Sequence, residues 1–251
     1  VMLLNVLELN GTEWVLLMLC AFLVGMSKAG VPGVSMISIP ILAMVFGGKN
    51  STGILLPILI MADLFGVGYY HRHAHWKHVL RALPWAVAGV LLAMVAGNRV
   101  NDEQFKRLIA LVIFAGVGLM IWRERKEEKA AIPTQWYFAA LMGLAGGFAT
   151  MIGNAAGPIL AIYLLALRLP KNEFIGTAAW FFFLINVIKV PFHVFSWHTI
   201  SGPGLLTDLY TLPAITLGAL SGFWLVKRIS NRRYQWMVIV VTVLSAILML
   251  F

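Results

Sequence analysis

Apolar runs long enough to cross a bilayer follow one another along nearly the whole chain, at about 54–70, 82–98, 106–122, 174–192, 206–226 and 235–251. They do not alternate with the period of two that barrel strands need, so they predict helices. A helix bonds its backbone N–H and C=O groups within itself, as lipid demands. With 61% hydrophobic and 12% charged residues, the chain carries more apolar surface than a soluble core of 251 residues can hide. The expected fold is an all-α, polytopic membrane protein with the lipid bilayer as solvent and no separate soluble domain.

Two further apolar stretches, 12–47 and 134–168, are too long for one span and are broken near the middle by glycine and proline. If each turns inside the membrane and returns to its own side, 13 Lys/Arg fall in inside segments against 4 outside. If each crosses once, the count becomes 7 inside against 10 outside. Cytoplasmic loops carry the excess of basic residues, so the hairpin reading is preferred. This use of the basic residues also accounts for the net charge of +9 without nucleic acid, and no nucleic-acid partner is expected. The N-terminus has neither a basic stretch before its first apolar run nor a small-residue cleavage pattern, so no removable signal peptide is expected. The single cysteine, Cys20, leaves no internal disulfide or cysteine-based metal cluster.

The sequence also repeats itself. Gly25-Met-Ser27-Lys28-Ala-Gly30-Val-Pro32-Gly33 followed by Pro40-Ile-Leu-Ala is echoed by Gly143 through Gly157 followed by Pro158-Ile-Leu-Ala. Lys49-Asn50 matches Lys171-Asn172, Gly53 matches Gly176, Asp63 matches Asn186, Leu83-Pro84 matches Leu212-Pro213, and Gly89 matches Gly218. About ten helical segments are expected in two repeats, 12–122 and 134–251, joined by a cytoplasmic linker at 123–133, each repeat opening with a Gly/Pro-broken helical hairpin. On the hairpin topology the repeats begin on opposite sides of the membrane, which makes them inverted. Matching broken segments in two inverted halves point to a transporter with its site at the repeat interface.

Lys28 and Lys189 fall inside apolar segments, and Asp63 is the acidic residue well inside a span. A lysine near the bilayer centre costs about 2.5–3.5 kcal/mol on insertion scales and normally faces a cavity or a partner. Two cations against one anion leave positive charge that a small anionic substrate completes. Helices restarting after Gly30 and Gly33, and after Gly153 and Asn154, add N–H groups suited to an anion. The candidate substrate-binding residues are Lys28, Ser27, Gly30, Gly33, Asn154, Gly153, Asn186 and Lys189. Asp63 is either the counter-ion of Lys28 or a proton carrier that couples transport. Simpler roles stand beside these: Lys189 snorkelling to the interface, Asn154 as a helix cap, Asn186 as an interhelical hydrogen-bonder. The Gly-x-x-x-Gly spacings at 143/147, 153/157 and 218/222 are expected to serve close helix packing.

The run His71-Arg72-His73-Ala74-His75-Trp76-Lys77-His78 would place His71 and His75 on one helical face. No acid or thiol stands nearby in the sequence, so a basic interfacial segment is preferred to a metal site.

The broken motif from Gly25 to Gly33 with Pro40, its glycine-rich second copy before Pro158, and the Lys-Asn step into the next helix together resemble the TauE/SafE family of sulfite exporters, also called TSUP proteins. The likeness runs from about residue 12 to 250. It implies a multi-pass carrier of the bacterial inner membrane for sulfur-containing anions such as sulfite, thiosulfate or organosulfonates. Where the first copy has Lys28 the second has Gly146, so a symmetric two-lysine site is not expected, and Lys189 supplies the second cation.

A secondary transporter is therefore the leading expectation. A P-loop pattern is absent, so no nucleotide or other cofactor is expected and a gradient drives the flux. The same electrostatics admit a carrier of carboxylates or other small anions. A membrane sensor or scaffold working through its histidine-rich loop is a third reading. The chain is not expected to be an enzyme, having neither His-Glu-x-x-His nor Gly-x-Ser-x-Gly. Carriers of this size often pair, which leaves a homodimer open as a partner.

Overall fold

The computed structural model describes residues 9–31, 33–101, 103–105, 107, 111, 136–234, 236, 237 and 240. Among these, nine α-helices and no strands occur: α1 (Gly11–Lys28), α2 (Ser38–Phe46), α3 (Gly48–Tyr70), α4 (Trp76–Gly97), α5 (Trp136–Gly153), α6 (Gly157–Ala166), α7 (Lys171–Phe195), α8 (Gly202–Tyr210) and α9 (Leu212–Lys227). Short 3-10 turns, Val34–Ile37 and His71–His73, precede α2 and follow α3. The linker 123–133 lies outside the described residues, as do nearly all of the expected spans 106–122 and 235–251.

Among the described residues, five helices are long and apolar enough to cross a membrane, and α8 with α9 adds a sixth span if the bent pair is counted as one. The fold is thus the all-α, multi-pass membrane architecture expected. The 18 residues of α1 reach about 27 Å, close to a hydrocarbon core of about 30 Å, whereas the 10 residues of α6 reach only about 15 Å.

The long stretch 12–47 folds as a full helix and a short returning one. An Asn10–Glu13 capping box starts α1, each side chain bonding the other's backbone N–H. After Lys28 the chain turns through Gly30 (φ 115°) and Gly33 (φ 91°), left-handed conformations that a Cβ would penalise. It then runs back along α1, with Ser35 Oγ 3.0 Å from Ser27 Oγ and Ser38 Oγ bonded to the Cys20 carbonyl. In 134–168 the same course is followed. Asn154 (φ 54°) ends α5, and α6 brings Ile159 back against Gly146.

These hairpins are embraced by the long helices. α1 packs on α9 and α4 on α5, while α3, the most enclosed long helix, packs on α7. The α3–α7 pair is antiparallel: Gly53 near the start of α3 meets Thr199 beyond the end of α7, and Gly176 near the start of α7 meets Tyr70 and His73. Approach is close where glycine permits it. A Cβ on Gly25 would collide with the Ile215 carbonyl, one on Gly218 with that of Phe22, one on Gly147 with that of Ala86, and one on Gly89 with that of Leu144. The 143/147 and 218/222 spacings serve helix packing as expected, but 153/157 does not, because it spans the α5–α6 break, where Gly157 meets only Met36 Sδ at 4.0 Å. Large apolar side chains such as Val15, Met44, Leu80 and Leu217 are exposed around the outside, where lipid solvates them.

Two further expectations are corrected. The run 206–226 is not one straight helix: α8 and α9 meet at 47°. The hydroxyl of Thr211 donates to the Asp208 carbonyl at 2.6 Å, taking an acceptor of the last turn, and Pro213 offers no N–H to continue it. The histidine-rich run also breaks. Its 3-10 turn ends at His73 and Ala74 is extended, so His71 and His75 do not share a helical face. Nor is the run without an acid, since Glu173 of α7 lies 2.6 Å from His75 Nε2. Among the described residues no group of three or more His, Cys, Asp or Glu is placed to hold a metal ion.

Candidate functional site

A partly open cavity, about 770 Å³ with the open solvent at its mouth included, lies where the two helix breaks meet α7. The first break contributes Ser27, Lys28, Gly30, Gly33 and Ser35, the second contributes Thr150, Asn154 and Gly157, and α7 contributes Phe182 and Asn186. Residues some 120 positions apart in the sequence thus share one wall.

Lys28 closes α1, its side chain 10% exposed, with Nζ 2.9 Å from Asp63 Oδ1 and 4.1 Å from the centre of the Phe182 ring. Asp63 is fully buried on α3, and its Oδ2 accepts a 2.7 Å hydrogen bond from Asn186 Nδ2. The two residues that match each other between the halves, Asp63 and Asn186, therefore bond directly across the α3–α7 contact. A buried ion pair survives desolvation only with additional hydrogen bonds, and Asn186 supplies one.

Lys189 does not snorkel. It is fully buried on α7, and its ammonium donates to the Thr150 carbonyl (3.0 Å), the Thr150 hydroxyl (3.0 Å) and Asn154 Oδ1 (2.6 Å). All three acceptors are neutral. Asn154 holds the left-handed conformation that asparagine tolerates best among residues with a side chain, and its Nδ2 donates to the Thr52 carbonyl at 3.3 Å. The break in the second hairpin thereby becomes the seat of Lys189. Two lysines and one carboxylate form this cluster, so its formal charge is one positive.

Of the expected site residues, Ser27, Lys28, Gly30, Gly33, Asn154 and Asn186 reach the wall. Asp63 stands behind Lys28 and Asn186, and Lys189 behind Thr150 and Asn154. Gly153 ends α5, buried and away from the wall. The amide groups of Asn154 and Asn186 already bond Thr52 and Asp63, leaving each one N–H for a ligand. Ser27 and Ser35 share one hydrogen bond, which leaves one of their two hydroxyl protons for another acceptor. Sequence reasoning missed Thr150, Ser35 and Phe182. A signal existed for Thr150, which precedes Asn154 by one turn and forms with it a polar pair on an otherwise apolar helix. α6 has no side-chain cap at its start, so its first N–H groups add partial positive charge to the second break, whereas α2 continues from the 3-10 turn Val34–Ile37, whose carbonyls take the Ser38 N–H.

Fold and site together define a multi-pass α-helical membrane protein with a cationic cavity at two helix breaks. Residues 17–249 match the model of the family described as "Sulfite exporter TauE/SafE". The chain belongs to that family, a family of transmembrane transporters, as its motif resemblance implied. No individually curated protein matches it.

Proposed function

We propose that this chain is a secondary transporter of the bacterial cytoplasmic membrane for a small sulfur-containing anion: sulfite, thiosulfate or an organosulfonate. The observation that carries the reading is the unbalanced cationic cluster, in which Lys28 is paired with Asp63 while Lys189 rests on neutral acceptors beside the same cavity. An anion entering the wall competes with Asp63 for Lys28. Asn186 holds the carboxylate in place, and a hydroxyl proton from Ser27 or Ser35 and the remaining amide hydrogens of Asn154 and Asn186 bond the anion's oxygens. Ammonium groups and hydroxyls act as point donors, which suits a compact oxyanion; among the described residues, the planar, bidentate clamp that arginine offers a carboxylate is not part of this wall.

Access alternates at the interface of two inverted repeats, 12–122 and 134–251, joined through 123–133. Exchanging the halves exchanges α1 on α9 with α5 on α4 and maps α3 on α7 onto itself, and this pattern of contacts supports the repeat reading. The cavity follows the first half of α7 from Phe174 to Asn186, and beyond it Lys189, His193 and Trp197 are buried. On the basic-residue count, the open half is the cytoplasmic one.

Sulfite flux into proteoliposomes, with wild type beside Lys28→Ala, tests the proposal. Flux in the wild type that falls at least tenfold in the variant is expected. Equal flux in both would remove Lys28 from the path, and wild type inert toward sulfite, thiosulfate and sulfonates would reject the substrate class. Flux sensitive to changes at His71–His78 but not at Lys28 would favour the sensor or scaffold reading.

A further inference from the structure

The buried stretch of α7 beyond the cavity holds a titratable group that anion binding does not use. His193 is fully buried on α7, one turn beyond Lys189, so Asn186, Lys189 and His193 form a polar stripe along a single helix face. Its Nδ1 lies 2.8 Å from Thr199 Oγ1, whereas Nε2 is buried with no hydrogen-bond partner among the described residues. Buried polar atoms are rarely left so, and an orphan of this kind calls for a ligand or a proton. The segment after α7 is fastened to this histidine. Thr199 N–H donates to the His193 carbonyl at 2.9 Å, Thr199 presses on Gly53 of α3, and Trp197 stacks edge-on at 5.1 Å from the imidazole while its indole N–H donates to Met94. His193 thus sits between the cationic cluster and the segment that follows α7.

Resting on the transport reading above, we propose that His193 is the proton-binding site of the carrier, so that one proton crosses with each anion. With Nδ1–H donating to Thr199, Nε2 keeps its lone pair and takes the proton, and imidazole becomes imidazolium without breaking the Thr199 bond. Asp63 is a poorer proton site, because Lys28 and Asn186 occupy both its oxygens. Among the described residues, the charged groups that face His193 are Lys189 on its own helix and Lys49 at the start of α3, both cationic. A third positive charge there is opposed until an anion arrives at Lys189, so proton and anion each favour the other's binding by the same factor. Fully loaded, the path carries the added anion and the added proton together, and the segment held by Thr199 can leave Gly53.

The test compares wild type with His193→Gln in proteoliposomes whose membrane potential is clamped at zero. Exchange of labelled for unlabelled sulfite reads binding and passage, and accumulation under an imposed gradient of one pH unit reads coupling. Sulfite's own protonation is common to both proteins and cancels in their ratio. One coupled proton predicts about tenfold more accumulation in wild type than in the variant, with exchange rates within about threefold. Equal accumulation would overturn the proposal. If the glutamine variant fails to exchange, Thr199→Val decides: it keeps the imidazole and removes its partner, so a displaced pH midpoint of accumulation supports a proton at His193 and an unchanged profile overturns it. Wild type without exchange would instead overturn the transport reading itself.

Discussion

Lys28 and Asp63 are bound to each other more tightly than their separate roles suggest. Removing one member of a buried pair leaves the other uncompensated, at a cost of about 3–5 kcal/mol, while removing both is close to neutral. Lys28→Met is therefore expected to lower the thermal unfolding temperature in detergent, and Lys28→Met with Asp63→Asn to recover most of the loss. Sulfite flux should stay absent in both, which separates the stabilising part of the pair from its transport part. The pair was legible in the sequence because charge is scarce in apolar runs, so Asp63, well inside a span, and Lys28, in a helix break, both stand out. Lys189 was only half legible. Its partners, Thr150 and Asn154, are neutral residues of another helix, and nothing in the local pattern around position 189 indicates what lies across from it.

Among the helices, glycine decides which surfaces can meet. Gly147 lies against the Ala86 backbone, where an added methyl has nowhere to go, whereas Gly68 on α3 has open space around its Cα. Gly147→Ala is expected to destabilise by about 1–3 kcal/mol through overpacking, and Gly68→Ala to stabilise by about 0.5–1 kcal/mol through helix propensity. Thermal unfolding of the two variants beside wild type checks both signs. Most helices could be read from apolar length alone, and the hairpins from their glycine breaks. The bend between α8 and α9 could not. Leu83-Pro84 and Leu212-Pro213 are matched dipeptides, yet α4 runs on through Pro84 while the chain bends just before Pro213. The difference lies in Thr211, whose side chain takes over the Asp208 carbonyl, a competition that hydrophobic periodicity does not register.

For the molecule as a whole, the distribution of basic residues predicts which ends face the cytoplasm. Single cysteines at His73 and His198, both exposed, should react with a membrane-impermeant maleimide from opposite sides, His73→Cys only from the cytoplasm and His198→Cys only from outside. Labelling of both from one side would overturn the hairpin topology, and the buried Cys20 contributes little background. The pairing of α1 with α9 carries a further consequence, for biosynthesis. α1 leaves the ribosome long before α9, yet the surface centred on Gly25 is covered by Ile215 and Gly218, some 190 residues further along. Until α9 is made, this narrow glycine face lies bare in the membrane. The nascent helix must be shielded by lipid or by the insertion machinery, and a helix made much later completes its shelter.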